Sequence, residues 1–286
     1  TSELTDLVAR LGEPDILVLG DLMLDRYVWG DAERISQEAP VVLLRADRRE
    51  ERLGGASSVA MMLAALGARV SIAGVVGDDA DGIRVRAMLD GFGIDHGAVL
   101  TDTARPTTVK ERYIGRAQQK HPQQMIRVDY ETREAVSGEL EDRLARVVIE
   151  RALAADIVLV SDYDKGVCSP ALLPRLTEAC RRAGKRIVVD PIRGGDYSKY
   201  RGMSSMTPNR LEAGLATKSA IVDGTSALAA ARKLQESLDL EAGIVTLDKE
   251  GMALWDAAGG SLYPVRPRQV YDITGAGGIP QRHALL

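Results

Sequence analysis

Short apolar runs alternate along the chain with longer stretches in which apolar residues recur at helical spacing. The short runs predict buried strands; they are residues 15–20, 70–76, 157–161, 187–190 and 244–247. The longer stretches predict helices; they are residues 57–66, 82–89, 138–153, 170–183 and 225–238. The helix from 170 has a favourable start, with Ser169 as cap and Pro170 in the first turn. This alternation favours an α/β fold in which helices cover both faces of a mostly parallel sheet.

Two stretches, residues 27–53 and 99–130, interrupt this alternation. They contain short apolar runs at 41–44, 107–109 and 125–128, separated by charged residues. Such runs are typical of antiparallel strands rather than βα units. We expect a small sheet over the main one, acting as a lid or a dimer contact; ordinary long loops are the alternative.

Composition restricts the class of protein. With 286 residues, the chain is long enough for one large α/β domain or two small ones. Hydrophobic residues make up 45% but aromatic residues only 4%, so the core is expected to consist of Ala, Leu, Val and Ile. The formal net charge is −4, and Lys and Arg are dispersed among acids. That distribution disfavours nucleic-acid binding, which needs a clustered basic surface.

The same sequence features predict a cytoplasmic protein. Cys168 and Cys180 fit no zinc or redox spacing, and we expect both to be reduced. No apolar run is long enough to predict a membrane span. Residues 1–10 lack the basic-then-apolar order of a signal peptide.

Polar residues follow most of the predicted strands. Because α/β sheets bind ligands at the carboxyl ends of their strands, these residues are candidate site residues. They are Asp21 and Asp25, residues 161–166, Asp190, Thr207, Asn209 and Glu212, and Thr246 and Asp248. Many carboxylates with few cations suit a hydroxyl-rich ligand and a metal–phosphate complex; for any single residue, a helix cap or turn is the alternative.

Two glycine-containing segments add candidate anion contacts. Gly54 and Gly55 precede a predicted helix, where backbone N–H groups lie at a positive helix end; an ordinary turn is the alternative. Residues 274–278 hold three glycines after a β-like run and predict a nest of N–H donors, with a flexible loop as the alternative. The chain has no GxxxxGK[ST] motif and no GxGxxG after its first strand, which disfavours P-loop and NAD enzymes. His96, His121 and His283 share no metal-ligand spacing.

Taken together, these motifs resemble the ribokinase-like (PfkB) sugar kinases over nearly the whole chain. The segment at Gly54 and Gly55 is similar to that family's N-terminal signature, and residues 272–277 are similar to its C-terminal signature. Within the family, the chain is most similar to the heptose 7-phosphate kinases of lipopolysaccharide precursor synthesis. The stretches that carry this similarity are residues 20–27, 35–41, 124–129, 161–166 and 206–209.

The resemblance implies one ribokinase-like domain over residues 1–286, with a small antiparallel β lid from about 27–53 and 99–130 that builds a homodimer in similar kinases. It implies that ATP, with Mg²⁺, phosphorylates the anomeric hydroxyl of D-glycero-D-manno-heptose 7-phosphate to the 1,7-bisphosphate.

The resemblance also assigns roles to individual residues. Asp25, Gly54, Gly55, Ser58 and Asp162 would contact the sugar, although the family usually has Asn at the position of Ser58. Lys110, Arg127 and Lys165 are the candidates for the sugar's phosphate, and Asn209 with Glu212 would organise Mg²⁺. The nucleotide site would include Asn209, Thr246, Asp248, Gly251, Gly275 and Gly277, and Gly275, Ala276 and Gly277 would form the anion hole.

One departure concerns catalysis itself. Gly278 stands where the family has its aspartate base, and the residues after it do not resemble the family's C-terminal helices. Loss of a positioned base costs about 10²–10⁴-fold in rate; a shift of reading frame after Gly277 is one hypothesis for the change. Two alternatives stay open, namely a kinase for another sugar or sugar phosphate and a catalytically dead sugar-phosphate or nucleotide binding protein.

Overall fold

A computed structural model describes residues 12–116 and 121–265, and it contains a nine-stranded main sheet. The strands of this sheet are β1 (Asp15–Gly20), β4 (Arg69–Gly77), β5 (Asp95–Asp102), β8 (Ile157–Ser161), β9 (Arg186–Asp190), β10 (Ser205–Met206), β11 (Ala242–Thr246), β12 (Met252–Asp256) and β13 (Gly259–Tyr263). Their order is β13-β12-β11-β10-β9-β8-β1-β4-β5. The pairs from β5 to β11 are parallel, and β11, β12 and β13 pair antiparallel.

Helices cover both faces of the main sheet, as the alternating pattern predicts. They are α1 (Gly55–Ala65), α2 (Ala80–Gly91), α3 (Gly138–Ala154), α4 (Leu172–Arg182), α5 (Arg210–Thr217) and α6 (Gly224–Leu238). Successive residues of a strand point to opposite faces, so Leu17 and Leu19 of β1 join one apolar core while Ile16 and Val18 join the other. Within the described residues, no helix is both long enough and apolar enough to cross a membrane.

The predicted strands and helices are confirmed, with ends shifted by up to two residues. The helix expected from residue 170 begins at Leu172, because Ser169 and the following turn precede it and the Ser169 hydroxyl accepts a hydrogen bond from Leu172 N at 2.9 Å. The predicted elements did not include the antiparallel hairpin β12–β13. Strand β13 is largely exposed and carries no pattern of a buried strand, whereas β12 does contain a short apolar run, at 252–255, that the prediction did not assign.

A second, four-stranded sheet forms the expected lid. It consists of β2 (Leu22–Ile35), β3 (Val42–Gly54), β6 (Thr108–Arg116) and β7 (Gln123–Tyr130), in the order β3-β2-β6-β7. The two outer pairings are antiparallel and the central β2–β6 pair is parallel, because both strands leave the same carboxyl edge of the main sheet. Two bounds need correction: the lid begins at Leu22 rather than 27, and residues 99–102 belong to β5 of the main sheet.

Arg26 joins the base of the lid to the main domain. Its guanidinium is 8% exposed and pairs with Glu51 and Glu111 on the neighbouring lid strands and with Asp81 in the first turn of α2. Removing one partner of a buried ion pair lowers the stability of a protein far more than removing one partner of an exposed pair. This cluster therefore fixes the lid over the carboxyl edge of the main sheet.

Candidate active site

The carboxyl edge of the main sheet brings the predicted strand-end residues together. The register pairs Gly20 with Ser161 across β1 and β8, and Ser161 with Asp190 across β8 and β9. Asp21, Asp162 and Asp190 therefore follow or end adjacent strands at one edge, as the sheet rule predicts.

One face of the lid carries the other half of the site. Asp25 on β2 lies opposite Lys110 on β6, which lies opposite Asp129 on β7. Two residues further along, Arg112 on β6 lies opposite Arg127 on β7. Because side chains alternate along a strand, all five share one face. This face is turned toward the main sheet, since Lys110 Nζ lies 5.6 Å from the ring centroid of Tyr163 in the loop after β8.

Asp25 lies against the start of α1 at the base of the lid. Its Oδ1 accepts a 2.6 Å hydrogen bond from Arg112, and its Oδ2 lies 2.5 Å from where a β-carbon on Gly54 would stand. Gly54 thus permits the close approach of the carboxylate, and Gly55 has a φ of +54°, which favours glycine. Ser58 Oγ donates to Gly55 O at 2.8 Å, so this hydroxyl already has a partner within the first helical turn.

The predicted phosphate-binding cations converge, but their pairing differs. Lys165 is 8% exposed and its Nζ donates to Glu131 at 2.9 Å, while Arg127 makes a two-pronged contact with Asp129 at 2.8 and 3.0 Å. Among the described residues, Lys110 Nζ has no ion-pair partner. Burial lowers the pKa of Lys110; the charges of Lys165 and Arg127 act in the same direction, and Asp25 opposes them. An anion bound among these cations would reduce their mutual repulsion and would favour the charged form of Lys110.

Asp162 does not face this cluster as a free acceptor. Its carboxylate is buried and accepts hydrogen bonds from Lys199 Nζ at 2.6 Å, from the Tyr200 hydroxyl at 2.8 Å and from Asp164 N at 2.9 Å. These three bonds hold the Asp162 carboxylate in place in the free protein, and its expected contact with the sugar stays a prediction.

Asn209 and Glu212, the predicted metal pair, are hydrogen-bonded to each other at the start of α5. Asn209 Oδ1 accepts from Glu212 N at 3.0 Å and Glu212 Oε2 accepts from Asn209 N at 2.9 Å, a reciprocal capping box. Burial raises the pKa of Asp190 to about 7, and the carboxylates of Glu212 and Asp162 add to that rise.

The donor chemistry at this point fits Mg²⁺ only in part. The carboxylates of Asp190 and Glu212 are hard oxygen donors whose mutual repulsion a divalent cation would reduce. Among the described residues, however, no three His, Cys, Asp or Glu side chains form a metal cluster. Mg²⁺ bound here would therefore take its remaining ligands from phosphate oxygens and water, as is usual for this ion.

The predicted nucleotide residues lie beside this pair. Thr246 N donates to Pro208 O at 3.0 Å, which places the end of β11 next to Asn209. Asn209 and Asp248 line one cleft of about 650 Å³, together with Arg193, Arg210, Lys218 and other residues. Gly251 is required by the hairpin, because a β-carbon there would stand 1.9 Å from Tyr263 O and its φ is +112°; its contact with the nucleotide stays a prediction. Gly275, Ala276, Gly277 and Gly278 lie outside the described residues.

Sequence reasoning missed Arg112 and named Tyr163 and Asp190 only as strand-end polar residues. Arg112 follows Lys110 by two positions in a run that reads as a strand, so the alternation rule alone places both side chains on one face. The pairing of Arg112 with Asp25 could not be read from sequence, since it depends on the parallel register of β2 and β6.

A parallel sheet with strand-end carboxylates, under a lid that carries cations, has the usual location and chemistry of a site for a small polar ligand. The family model for pfkB family carbohydrate kinases matches residues 13–277. The chain belongs to this family.

The chain is similar over nearly its whole length to curated proteins called "Bifunctional protein HldE". It is 42% identical over 276 residues to that of Geotalea uraniireducens, covering 96% of this chain and 55% of the relative. It is 43% identical over 263 residues to that of Campylobacter curvus, covering 92% of this chain and 54% of the relative. The chain thus spans about half the length of these curated relatives.

Solved structures share the fold at low sequence identity. Phosphofructokinase-2 from Escherichia coli in complex with fructose-6-phosphate has a TM-score of 0.72 and 19% identity, covering 92% of this chain and 83% of that one. Arabidopsis thaliana ribokinase complexed with ribose and ATP has a TM-score of 0.69 and 21% identity, covering 93% and 82%. These likenesses show a ribokinase-like fold, as the sequence predicted.

Proposed function

We propose that this site binds D-glycero-D-manno-heptose 7-phosphate together with ATP and Mg²⁺, in the arrangement of a kinase acting on the anomeric hydroxyl. The observation that carries the proposal is Lys110, a half-buried cation without an ion-pair partner in the described residues and held near two other cations. A sugar without a phosphate carries no anion for these three cations to bind. The resemblance to heptose 7-phosphate kinases supplies the particular sugar.

At the sugar end of the site, Asp25 would be the main hydrogen-bond acceptor. Its carboxylate can accept hydrogen bonds from two hydroxyls and so fix the orientation of the ring. Backbone N–H groups at Gly54 and Gly55 lie at the positive end of α1, next to Asp25. Lys110, Arg127 and Lys165 would bind the 7-phosphate, and Arg112 would keep Asp25 in position. Ser58 could keep its bond to Gly55 O and accept a hydrogen bond from a sugar hydroxyl, since a serine hydroxyl both donates and accepts.

The nucleotide would bind at the part of the carboxyl edge that lies after β10 and β11. Asn209, Thr246 and Asp248 would line the nucleotide site, with Glu212 and Asp190 available to hold Mg²⁺ through its waters. When bound, Mg²⁺ neutralises charge on the phosphate oxygens of ATP. Backbone N–H groups of Gly275, Ala276 and Gly277 would stabilise charge on the transferred phosphoryl group.

Gly278 limits the chemistry that this chain can perform. Glycine has no side chain to take the proton of the attacking hydroxyl, so we expect ligand binding with turnover reduced by about 10²–10⁴-fold. Gly278 is also the observation that favours the second candidate function, a sugar-phosphate binding protein without kinase activity.

We further propose a homodimer formed through the lid, in the cytoplasm. The lid exposes apolar side chains at Ile35, Val42 and Ile126, with 70%, 53% and 56% of each accessible. An exposed apolar sheet surface of this kind is typical of a protein–protein contact. Cys168 and Cys180 are buried free thiols, in keeping with a reducing compartment.

A calorimetric titration of the chain with heptose 7-phosphate tests the substrate proposal, with fructose 6-phosphate as the comparison. Binding does not need the missing base, so the result is readable even if turnover is absent. We expect clear heat with the heptose and little with the hexose. Equal binding of both would favour a kinase for another sugar phosphate, and no heat from a folded chain would overturn the site assignment.

A further inference from the structure

Asp21 makes an unusual set of hydrogen bonds directly after β1. Its side chain is buried, with the residue 1% exposed, and it accepts three backbone N–H groups from a single loop. Oδ2 accepts from Tyr163 N at 2.7 Å and from Lys165 N at 3.2 Å, and Oδ1 accepts from Val167 N at 3.2 Å. Residues 163–167 therefore wrap around one carboxylate.

This loop has a backbone that needs such support. Asp164 has a φ of +59°, and Gly166 has a φ of +90° with its α-carbon packed so closely that a β-carbon would stand 1.9 Å from Glu134 O. Non-glycine residues with positive φ are uncommon and cost free energy, which surrounding contacts must offset. On its outer side, the loop is held by Arg105, which donates to Lys165 O at 3.0 Å.

The loop supplies two side chains to the proposed phosphate site. Lys165 lies within electrostatic reach of Lys110, and the ring of Tyr163 lies 5.6 Å from Lys110 Nζ. Asp21 does not bond the charged group of any of the three cations; its side chain bonds the loop backbone. Whatever Asp21 contributes to ligand binding is therefore transmitted through the loop.

We propose that Asp21 is a positioning residue for the sugar-phosphate site, whose carboxylate fixes the backbone of residues 163–167 so that Lys165 and Tyr163 face Lys110. This inference rests on the proposed function of the site. It assigns to Asp21 no contact with substrate and no proton transfer.

The electrostatic surroundings of Asp21 support this role. Burial raises the pKa of Asp21 to about 6, Asp162 adds to the rise, and the three N–H bonds oppose it. Lys199 is the ammonium group bonded to Asp162. Further ionisable groups around these two acids are Asp190, Tyr163, Tyr197, Tyr200 and Cys168. An ionised acid kept in such a place is costly to the fold, as is common for groups at functional sites.

The test is a double-mutant cycle on ligand affinity, using Asp21→Asn and Lys165→Ala singly and together. An amide of the same size can accept at one atom only, so Asp21→Asn loses at least one of the three bonds. We expect about tenfold weaker binding of heptose 7-phosphate, little change for unphosphorylated heptose, and a much smaller effect of Asp21→Asn once Lys165 is Ala. Asp223→Asn, which alters the helix cap of α6, is the matched control and should leave both affinities unchanged.

The possible outcomes separate this inference from the proposed function. Absence of heptose 7-phosphate binding to the unmodified chain would overturn the proposed function itself. If the unmodified chain binds, the inference fails when Asp21→Asn leaves the affinity for heptose 7-phosphate unchanged or lowers the affinities for both sugars equally. It also fails when Asp21→Asn lowers the affinity of the Lys165→Ala variant by as much as it lowers that of the unmodified chain.

A measurement on the unmodified chain keeps the inference testable even if Asp21→Asn does not fold. Hydrogen exchange at the amides of Tyr163, Lys165 and Val167 should already be slow without ligand, because Asp21 holds them beforehand. Fast exchange in the free protein, with protection only after heptose 7-phosphate is added, would overturn the inference.

Discussion

Arg112 on β6 donates a 2.6 Å hydrogen bond to Asp25 Oδ1 on β2. This bond neutralises the proposed sugar acceptor from within the lid. Burial lowers the pKa of Arg112, but the hydrogen bond to Asp25 and the charge of that carboxylate outweigh burial, so the pKa is raised. A sugar that binds Asp25 therefore meets a carboxylate whose position is set by the lid. Under the proposed function, binding of a sugar at Asp25 is therefore coupled to the placement of the lid.

Gly54→Ala tests the close approach of Asp25. The added methyl group would stand 2.5 Å from Asp25 Oδ2, so the carboxylate or the end of β3 must move. We expect sugar affinity to fall about tenfold or more and stability to fall by about 1–3 kcal/mol. Calorimetry and thermal unfolding measure the two effects. Gly91→Ala is the matched control, since a methyl group there meets nothing within 4 Å; equal behaviour of both variants would contradict the account.

Glu212→Gln separates metal binding from helix capping. Glutamine keeps the capping box with Asn209 but removes the charge, so stability should change by less than about 0.5 kcal/mol. We expect the enhancement of ATP binding by Mg²⁺ to be largely lost. Titration with ATP, with and without Mg²⁺, measures this. Glu236→Gln, on the exposed surface of α6, is the control; an unchanged Mg²⁺ effect in Glu212→Gln would remove Glu212 from the metal site.

The affinity for heptose 7-phosphate should fall at alkaline pH. The pKa of Lys110 is lowered from its ordinary value of 10.5, so as pH rises this ammonium loses its charge earlier than an exposed lysine. Neutral Lys110 attracts phosphate less, and binding weakens in that pH range. Titrations at increasing pH should show the decline in the unmodified chain and its disappearance in Lys110→Ala. A decline that is the same in both would assign it to another group.

Gly278→Asp should raise turnover. If the missing carboxylate is what limits the reaction, restoring it increases kcat by about 10²-fold or more with little change in sugar affinity. ADP release in the presence of heptose 7-phosphate measures the rate. Gly278→Asn has a side chain of similar size without a basic carboxylate and should stay slow; equal rates in the two variants would mean that the base is not the limiting feature.

Much of the main sheet was readable from sequence because its central strands are buried on both faces. Residues 157–160 form an unbroken apolar run, and the structure gives β8 the predicted bounds, Ile157–Ser161. Strand β13 lies at the edge of the sheet and is largely exposed, so no comparable signal marks it. Secondary structure at buried positions is fixed by the chain's own pattern, whereas edge strands depend on their neighbours.

Only part of the candidate site could be predicted from sequence, because the sequence does not show which side chains hydrogen-bond to each other in the fold. Residue type and resemblance point to Lys110 and Asp25, but neither indicates that Asp162 bonds Lys199 and Tyr200. That pairing joins residues far apart in sequence through a short 3₁₀ helix at Tyr197–Tyr200, which no local pattern indicates. From sequence, Asp21 is likewise one strand-end acid among several; its role depends on three hydrogen bonds to the loop, which no local pattern indicates.

The most direct test of the central claim, that Lys110 binds the sugar's phosphate, is calorimetric binding of heptose with and without its 7-phosphate to the unmodified chain and to Lys110→Ala. Lys233→Ala is the matched control, since Lys233 is an exposed lysine on α6 that donates a hydrogen bond to Thr217 O. The account predicts that Lys110→Ala weakens binding of the phosphorylated sugar by about tenfold or more, while unphosphorylated heptose binds equally to all three chains. Equal affinity of Lys110→Ala and the unmodified chain for the phosphorylated sugar would contradict it.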